Sequence, residues 1–293
     1  MKFGNSLLLF IGIVSSCSGV QPSSSGTQPS SNGNSQVSTP SISETIVENS
    51  VETWNILENT IYETPVYKFT SNVPGKKYAI VGGIHGDEVA GWKAALQLKE
   101  RRDFIGEVLI IPQASILACK REERYPGLGS SLNGIKYKDL NRNFPGNSSG
   151  NATEKISNAI TQTVIDFDAD IIIDLHESRS SASSSFFEEG ASSRLGDLLI
   201  YGNSWSSLFT KYVIQEYNAS YLQDGDYPFG TDTYAPSGSF NQYFGKLYEE
   251  KIVFTIETTR YIDYAKKIPK NENRRIQQQL EIIDLVFKCS DKF

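Results

Sequence analysis

The sequence predicts an α/β fold in which a mostly parallel central sheet lies between layers of helices. Two observations support this prediction. From about residue 60 onward, short apolar runs typical of buried strands alternate with longer segments of helical periodicity. The runs are apolar on both faces, as expected for strands covered by helices on both sides of the sheet. In such sheets, sites form at the carboxyl ends of the strands, and functional residues are expected there.

The first 17 residues have the layout of a secretory signal. Lys2 supplies an early positive charge, an apolar stretch covers residues 7–14, and small residues precede Cys17. That stretch is too short for a permanent membrane-spanning helix. Residues 14–17, Val-Ser-Ser-Cys, resemble the lipobox of bacterial lipoproteins, in which the cysteine is lipidated and becomes the new N-terminus. The alternative is an ordinary signal peptide cleaved nearby, with Cys17 incidental.

A lipidated Cys17 would hold an exported protein at the cell envelope, on the outer face of a bacterial membrane. Residues 18–45 are rich in Ser, Gly, Pro, Gln and Asn, and they contain too few apolar side chains to order themselves. They are predicted to be a flexible tether. Cys119 and Cys289 could pair in an oxidising compartment or remain buried thiols, and both possibilities stay open.

Residues 46–293 are predicted to form one catalytic domain in which strands and helices alternate along the chain. The predicted strands are 76–84, 107–113, 169–176 and 251–257. The predicted helices are 87–102, 151–167, 204–217 and 272–288. Asn151 and Glu154 are compatible with a capped start of the second helix.

The net charge of −6 and the lack of any Lys/Arg-rich run argue against nucleic acid as a partner. One basic cluster occurs near the C-terminus, where the spacing is helical. We interpret it as a solvated helix face rather than as a binding patch. It comprises Lys266, Lys267, Lys270, Arg274 and Arg275.

The chain has only two histidines, and both follow apolar strands beside carboxylates. His85 and Glu88 are three residues apart where a strand gives way to a helix, so both can face one ion. His176, from a distant strand, would complete two nitrogens and one oxygen, a set that suits catalytic zinc with a fourth position for water. One Zn²⁺ per chain is therefore expected. The alternative is two structural histidines.

Five segments occur in an order that resembles the zinc carboxypeptidase family and its aspartoacylase and succinylglutamate desuccinylase relatives. The resemblance covers roughly residues 60–290, and it implies a zinc-carboxypeptidase-like three-layer sandwich around a mixed, mostly parallel sheet. The segments are GGIHGDE (82–88), DLNRNFPG (139–146), DLH (174–176), YAPSGS (234–239) and FTIE (254–257).

The resemblance implies a role for each matching residue. His85, Glu88 and His176 match the zinc ligands, and Asp139 matches the carboxylate that orients the first histidine. Glu257 matches the general base. The remaining matches concern the substrate: its terminal carboxylate would be bound by Asn141 and Arg142, and Tyr234 would close over it.

The family also uses an upstream arginine to stabilise an oxyanion. Arg124 is the better match because its distance ahead of Arg142 suits the carboxypeptidases, and Arg121 is the alternative. Glu177 is interpreted as a loop carboxylate. Asp87 stands where many carboxypeptidases have another polar residue, and it could favour a basic substrate side chain.

Three functions follow from the resemblance. The preferred one is a metallocarboxypeptidase that cleaves an amide bond beside a free carboxylate, because the N-terminus predicts export and the chain has the Tyr234 segment. The alternative is a deacylase of N-acyl amino acids, favoured by the segment HGDE (85–88) and by the short separation of Glu88 from His176 along the chain. A third possibility, from another class, is a non-catalytic substrate-binding lipoprotein on the same scaffold.

Overall fold

The structure, a computed structural model, describes residues 47–125, 139–178, 197–233, 235–263 and 268–293. The strands are β1 (Asn49–Ile56), β2 (Thr64–Ser71), β3 (Lys77–Gly82), β4 (Glu107–Ile111), β5 (Ile171–Ser178), β6 (Leu198–Tyr201), β7 (Gly230–Asp232), β8 (Ile252–Thr259), β9 (Tyr261–Asp263) and β10 (Ile268–Pro269). The α-helices are α1 (Val89–Leu98), α2 (Ile116–Arg121), α3 (Ala152–Phe167), α4 (Ser204–Ser220), α5 (Phe240–Leu247) and α6 (Glu272–Cys289). The predicted signal and tether lie outside the described residues and stay predictions.

Eight strands form one mixed sheet in the order β1-β2-β4-β3-β5-β8-β6-β7. The four inner strands β4, β3, β5 and β8 are parallel to one another. Antiparallel pairing occurs between β1 and β2, between β2 and β4, and between β6 and β8. The structure confirms the predicted mixed, mostly parallel sheet.

Alternating residues of the inner strands face two separate apolar cores, so the fold has three layers. On β3, Tyr78 and Ile80 pack in the core that includes residues of α1, α4 and α6. Ala79 and Val81 pack in the other core, with residues of α3 and α5. Because both faces of each inner strand are buried, the strands are apolar throughout, which is the pattern that the sequence shows.

The start of α3 is fixed by a capping box, as the sequence indicates. The Asn151 side chain accepts a hydrogen bond from the Glu154 N–H at 3.1 Å, and the Glu154 carboxylate accepts from the Asn151 N–H at 2.9 Å. Two otherwise orphaned backbone donors are thereby satisfied. The helix therefore begins where the local sequence directs it to begin.

The predicted solvated basic face on the C-terminal helix is wrong. Lys270 is 4% exposed and forms an ion pair with the buried Asp197 at 3.0 Å, while Arg275 is 8% exposed. Arg274 forms ion pairs with Asp226 and Glu281. These cations can be buried because carboxylates pair with them, and Asp197 and Asp226 come from outside the helix. Lys266 and Lys267 lie outside the described residues.

The two cysteines of the described region are buried, free thiols. Burial raises the pKa of the Cys119 thiol to about 12, so the thiol stays neutral at physiological pH. None of the helices in the described ranges has the length and apolar character that a membrane crossing requires.

Candidate active site

A glycine-rich loop carries His85 and Glu88 from the end of β3 to the start of α1. Gly83 adopts φ +75°, a region that residues with a Cβ rarely occupy. At Gly86, a Cβ would lie only 2.0 Å from the carbonyl carbon of Ala118 on α2. The loop must therefore pack against the backbone of α2, and only glycine permits this close approach.

His85, Glu88 and His176 converge on one buried point, and each is no more than 3% exposed. Nδ1 of His85 lies 2.7 Å from Oε1 of Glu88, and Nδ1 of His176 lies 2.6 Å from Oε2 of the same carboxylate. The three potential ligand atoms all lie within 4.8 Å of one another. Two imidazole nitrogens and one carboxylate oxygen in this arrangement can hold a metal ion and suit zinc.

The Glu88 carboxylate and the His176 imidazole favour each other's charged forms. Burial opposes ionisation of Glu88, but the charges of His85 and His176 hold its pKa well below the ordinary value. Burial likewise opposes protonation of His176, but Glu88 and Asp174 hold its pKa well above the ordinary value. This electrostatic coupling keeps Glu88 an anionic donor, the form that a cation requires.

Asp139 lies behind His85, on the side away from Glu88. Its Oδ1 is 2.9 Å from Nε2 of His85 and also accepts a hydrogen bond from the Asn141 N–H at 2.9 Å. The second bond caps a short 3₁₀ turn at Leu140–Arg142. The carboxylate thus orients the imidazole with Nδ1 toward Glu88, in the position that the resemblance implies.

Glu257 lies beside His176, because the two residues are direct neighbours in the parallel pairing of β5 with β8. Its Oε2 is enclosed and has no hydrogen-bond partner among the described residues. Burial, together with the nearby charges of Glu88 and Asp174, raises the pKa of Glu257 to about 8. A carboxylate with this pKa can take up and release a proton near neutral pH.

Arg124 and Asn141 face the same space. Nη1 of Arg124 donates to Oε1 of Glu88 at 2.7 Å, whereas Arg121, the alternative, is exposed on α2. The Asn141 amide oxygen accepts from the Phe240 N–H at 2.8 Å. This bond leaves the amide Nδ2 of Asn141 turned toward His176, 3.4 Å from its Nε2.

These side chains line one open cavity of about 530 Å³. Its wall includes the three potential metal ligands and, among the other predicted residues, Arg124, Asn141, Arg142 and Glu257. Arg142 donates to the Asn141 carbonyl oxygen at 2.6 Å and remains 31% exposed in its side chain. Tyr234 lies outside the described residues, and its closing role stays a prediction.

Two carboxylates near the site have partners that the sequence did not predict. Glu177 is part of β5 rather than of a loop, and its buried carboxylate pairs with Arg275 and accepts from the Ala90 N–H at 3.0 Å. Both terminal nitrogens of Arg260 donate to Oδ2 of Asp87 at 3.1 Å. The expectation that Asp87 attracts a basic substrate side chain is therefore not supported, because Arg260 balances its charge.

Arg260 is a nearby residue that sequence reasoning missed. Its Nη2 also lies 3.9 Å from Oε1 of Glu88, so it adds positive charge next to the potential metal ligands. Its position three residues after Glu257 on the chain was a usable signal, since residues following a strand end share the rim of the sheet.

Comparisons with known proteins show which proteins this chain resembles. The family model described as "Succinylglutamate desuccinylase/Aspartoacylase catalytic domain" matches residues 74–194. An N-alpha-acetyl-L-2,4-diaminobutyric acid deacetylase from Halomonas elongata is 35% identical over 105 residues. That match covers 35% of this chain and 28% of the length of the relative.

Solved structures from both branches share the fold. A succinylglutamate desuccinylase from Silicibacter sp. TM1040 has a TM-score of 0.56 at 17% identity, and the match covers 82% of this chain and 67% of that one. Carboxypeptidase A from Helicoverpa armigera has a TM-score of 0.59 at 14% identity, over 83% of this chain and 68% of that one. These two structures show the fold that the chain shares with both branches, and the family model over residues 74–194 supports the superfamily of zinc carboxypeptidases and their deacylase relatives.

Proposed function

We propose that the protein is a zinc-dependent amidohydrolase that removes an acyl group from the nitrogen of an N-acyl amino acid. The observation that carries this proposal is the cavity in which His85, Glu88 and His176 converge beside Glu257. The deacylase branch is preferred over the peptidase branch because the matching family model and the 35% identical relative are both of that branch. This preference reverses the order expected from the sequence alone.

The two imidazoles and the Glu88 carboxylate would hold the ion. In such a site, zinc polarises a carbonyl oxygen and lowers the pKa of a water molecule. Glu257, with a proton-accepting oxygen that has no donor in the described chain, takes one proton from the attacking water and returns it to the leaving nitrogen. Bond cleavage then gives a carboxylic acid and a neutral amine, and transfer of the acid's proton to the amine gives a carboxylate and an ammonium ion, so the two protons of the water are both accounted for.

The substrate's own carboxylate would bind at Asn141 and Arg142, which line the same cavity. The Phe240 N–H holds the Asn141 amide with its nitrogen available as a donor, and Arg142 presents a partly exposed guanidinium beside it. A planar guanidinium binds a carboxylate through two parallel hydrogen bonds. Arg124, which reaches Glu88 from the cavity wall, is positioned to stabilise the negative charge that develops on the acyl oxygen.

A carboxypeptidase is the second candidate. The observation that favours it is Arg124, which lines the cavity and precedes Arg142 by a separation that resembles the carboxypeptidases. In that case the substrate is a peptide with a free C-terminal carboxylate, held by the same Asn141 and Arg142. A non-catalytic binding lipoprotein is the third candidate. Glu257, which such a protein would not need, argues against it.

In this proposal the protein is exported and held at the cell envelope of a bacterium through lipidated Cys17. The support is the resemblance of residues 1–17 to a lipobox signal and the composition of residues 18–45. Mass spectrometry of the protein purified from membranes tests it. An N-terminal diacylated Cys17 is the expected result, and an unmodified chain that starts elsewhere would contradict it.

Elemental analysis of the protein that lacks residues 1–45, beside the same protein with His176→Ala, tests the metal. We expect about one zinc per chain in the parent and loss of zinc in a folded variant. The zinc-loaded parent is then assayed with a panel of N-acetyl and N-succinyl amino acids and with C-terminal dipeptides. Amine release from N-acyl amino acids supports the deacylase, and release from peptides alone supports the carboxypeptidase. A folded parent that takes up no zinc would overturn the proposed function.

A further inference from the structure

Asp174 is a buried carboxylate behind His176, on the side of the ring away from Glu88. It is 1% exposed, and its Oδ2 lies 3.1 Å from Nε2 of His176. Oδ2 is enclosed and has no aligned hydrogen bond among the residues that the structure describes, so Nε2 of His176 is placed to supply the donor that it lacks. Nδ1 of the same ring faces Glu88 at 2.6 Å, so the two ring nitrogens of His176 have different partners.

The arrangement around His176 repeats the arrangement around His85. Each ring directs Nδ1 to one oxygen of Glu88 and has an aspartate oxygen close to Nε2, Asp139 for His85 and Asp174 for His176. Nε2 of His176 also lies 3.4 Å from Nδ2 of Asn141. An ionised carboxylate only accepts hydrogen bonds, so it favours the tautomer that carries its proton on Nε2. The lone pair of Nδ1 is then available at the point where the three potential ligand atoms meet.

Asp174 is in turn held by a chain of hydrogen bonds that reaches the cavity wall. Its Oδ1 accepts from the Thr255 hydroxyl at 2.5 Å, and the same hydroxyl oxygen accepts from Nδ2 of Asn241 at 2.9 Å. Asn241 is fixed by a second bond from Nδ2 to the Ile200 carbonyl oxygen at 2.6 Å. Because the hydroxyl accepts from Asn241, its one proton is free to point at Asp174. Thr255 and Asn241 both line the cavity.

We propose that Asp174 is a positioning residue that fixes the tautomer and orientation of His176 for the metal, and that Thr255 and Asn241 tie this carboxylate to the wall of the substrate cavity. This inference rests on the proposed metal site. It gives His176 the same support that Asp139 gives His85. It also means that groups lining the cavity and a group supporting a potential metal ligand belong to one hydrogen-bonded chain.

The first test replaces Asp174 by asparagine, which has nearly the same size. Zinc affinity is measured by competition with a chromogenic chelator, and the visible spectrum of the Co²⁺-substituted protein reports the ligand geometry. We expect zinc to bind roughly 10- to 100-fold more weakly than in the parent. The Co²⁺ spectrum should also change, whereas the unfolding midpoint of the chelator-treated protein should stay close to that of the parent.

The second test compares Thr255→Val with Thr258→Val. Both threonines are buried on β8, but the Thr258 hydroxyl accepts from Gln279 and has no link to Asp174. Thr255→Val should weaken zinc binding in the same direction as Asp174→Asn, by a smaller factor, and Thr258→Val should leave it unchanged. Because Thr255→Val keeps the carboxylate, it also tests the chain if Asp174→Asn does not fold.

The outcomes separate this inference from the proposed function. A folded parent without zinc would overturn both. A parent that binds zinc, with an Asp174→Asn variant of equal affinity and unchanged Co²⁺ spectrum, would overturn the role of Asp174 and leave the proposed function standing. Equal zinc affinities for Thr255→Val and Thr258→Val would overturn the link to the cavity wall.

Discussion

Replacing Arg275 by methionine should destabilise the protein strongly at pH 8 and less at pH 5. Arg275 donates from Nε to Oε1 of Glu177, whose other oxygen accepts from the Ala90 N–H at 3.0 Å. Without the guanidinium, the buried carboxylate retains the hydrogen bond from the Ala90 N–H and the weaker influence of the Arg260 charge. Removing one partner of a buried ion pair costs about 3–5 kcal/mol in the free energy of unfolding. We expect a loss of that order at pH 8.

The pH dependence follows from the pKa of Glu177. Burial already raises this pKa, and the charge of Arg275 is the largest effect that opposes the rise. In Arg275→Met the pKa rises further, so the folded state keeps a proton over a pH range in which the unfolded state has lost it. Stability then falls with rising pH across that range, by at most about 1.4 kcal/mol per pH unit for one group. Toward pH 5, Glu177 becomes protonated and the loss shrinks.

Urea unfolding of chelator-treated protein at pH 5 and pH 8 measures this effect. The set comprises the parent, Arg275→Met, Glu177→Gln and the double variant, so that other titrating groups cancel in the differences. In the double variant an amide replaces the carboxylate, and the extra pH dependence of Arg275→Met should disappear. An equal loss at both pH values, or a double variant as sensitive to pH as the single one, would refute the assignment of the effect to Glu177.

Three further results are expected. Glu257→Gln should lower kcat/KM by roughly 10²- to 10⁴-fold while the zinc content by elemental analysis stays that of the parent; retained activity would contradict its role as the base. Gly86→Ala should lower the free energy of unfolding by about 2–3 kcal/mol and weaken zinc binding, whereas Gly230→Ala, whose Cβ would meet only a Leu198 side-chain atom at 3.2 Å, should be far milder in urea unfolding. Burial raises the pKa of Cys119 from 9.0 to about 12, so between pH 9 and pH 12 only the unfolded state loses the thiol proton, and the free energy of unfolding should fall by up to about 4 kcal/mol. The fall should be smaller in Cys119→Ala, and an identical pH slope in the parent and the variant would contradict the assignment to Cys119.

The inner strands and long helices could be predicted from the sequence because their periodicity is strong. The segments 76–84, 169–176 and 251–257 overlap β3, β5 and β8, and these strands are buried on both faces. The antiparallel hairpin of β1 and β2 was not predicted. Most of β1 is exposed at the edge of the sheet, so its sequence lacks the apolar run that marks an inner strand.

Site residues could be predicted where the residue type is rare in the chain or where the residue follows a predicted strand. They could not be predicted where the role depends on a partner that is distant in the sequence. His85 and His176 stood out as the two histidines of the chain. The pairing of Glu177 with Arg275 spans 98 residues, and no local pattern indicates it. For the same reason the basic C-terminal cluster was misinterpreted: helical spacing shows which side chains share a face, but not whether a carboxylate from another element covers that face.

The period-two geometry of strands explains why the metal ligand and its support are two residues apart. On β5, Ile172 packs in the core formed with α3 and α5, and Asp174 and His176 continue along the same face. Leu175, between them, packs in the opposite core. On the neighbouring β8, Val253 packs with Ile172 in the core formed with α3 and α5. Thr255 and Glu257 follow Val253 on the same face of β8, and they pair in register with Asp174 and His176.

One face of two paired strands therefore changes from apolar to polar within four residues, where the strands reach the cavity. The apolar first half anchors both strands in the core, and the polar second half is held by hydrogen bonds, such as those that join Asp174, Thr255 and Asn241. A histidine ligand placed there can be oriented by the residue two positions earlier, and the general base can be placed beside it by pairing alone. The motif Asp174-Leu175-His176 thus combines a supporting carboxylate, a core residue and a potential metal ligand in three consecutive positions, because alternate side chains of a strand point to opposite faces.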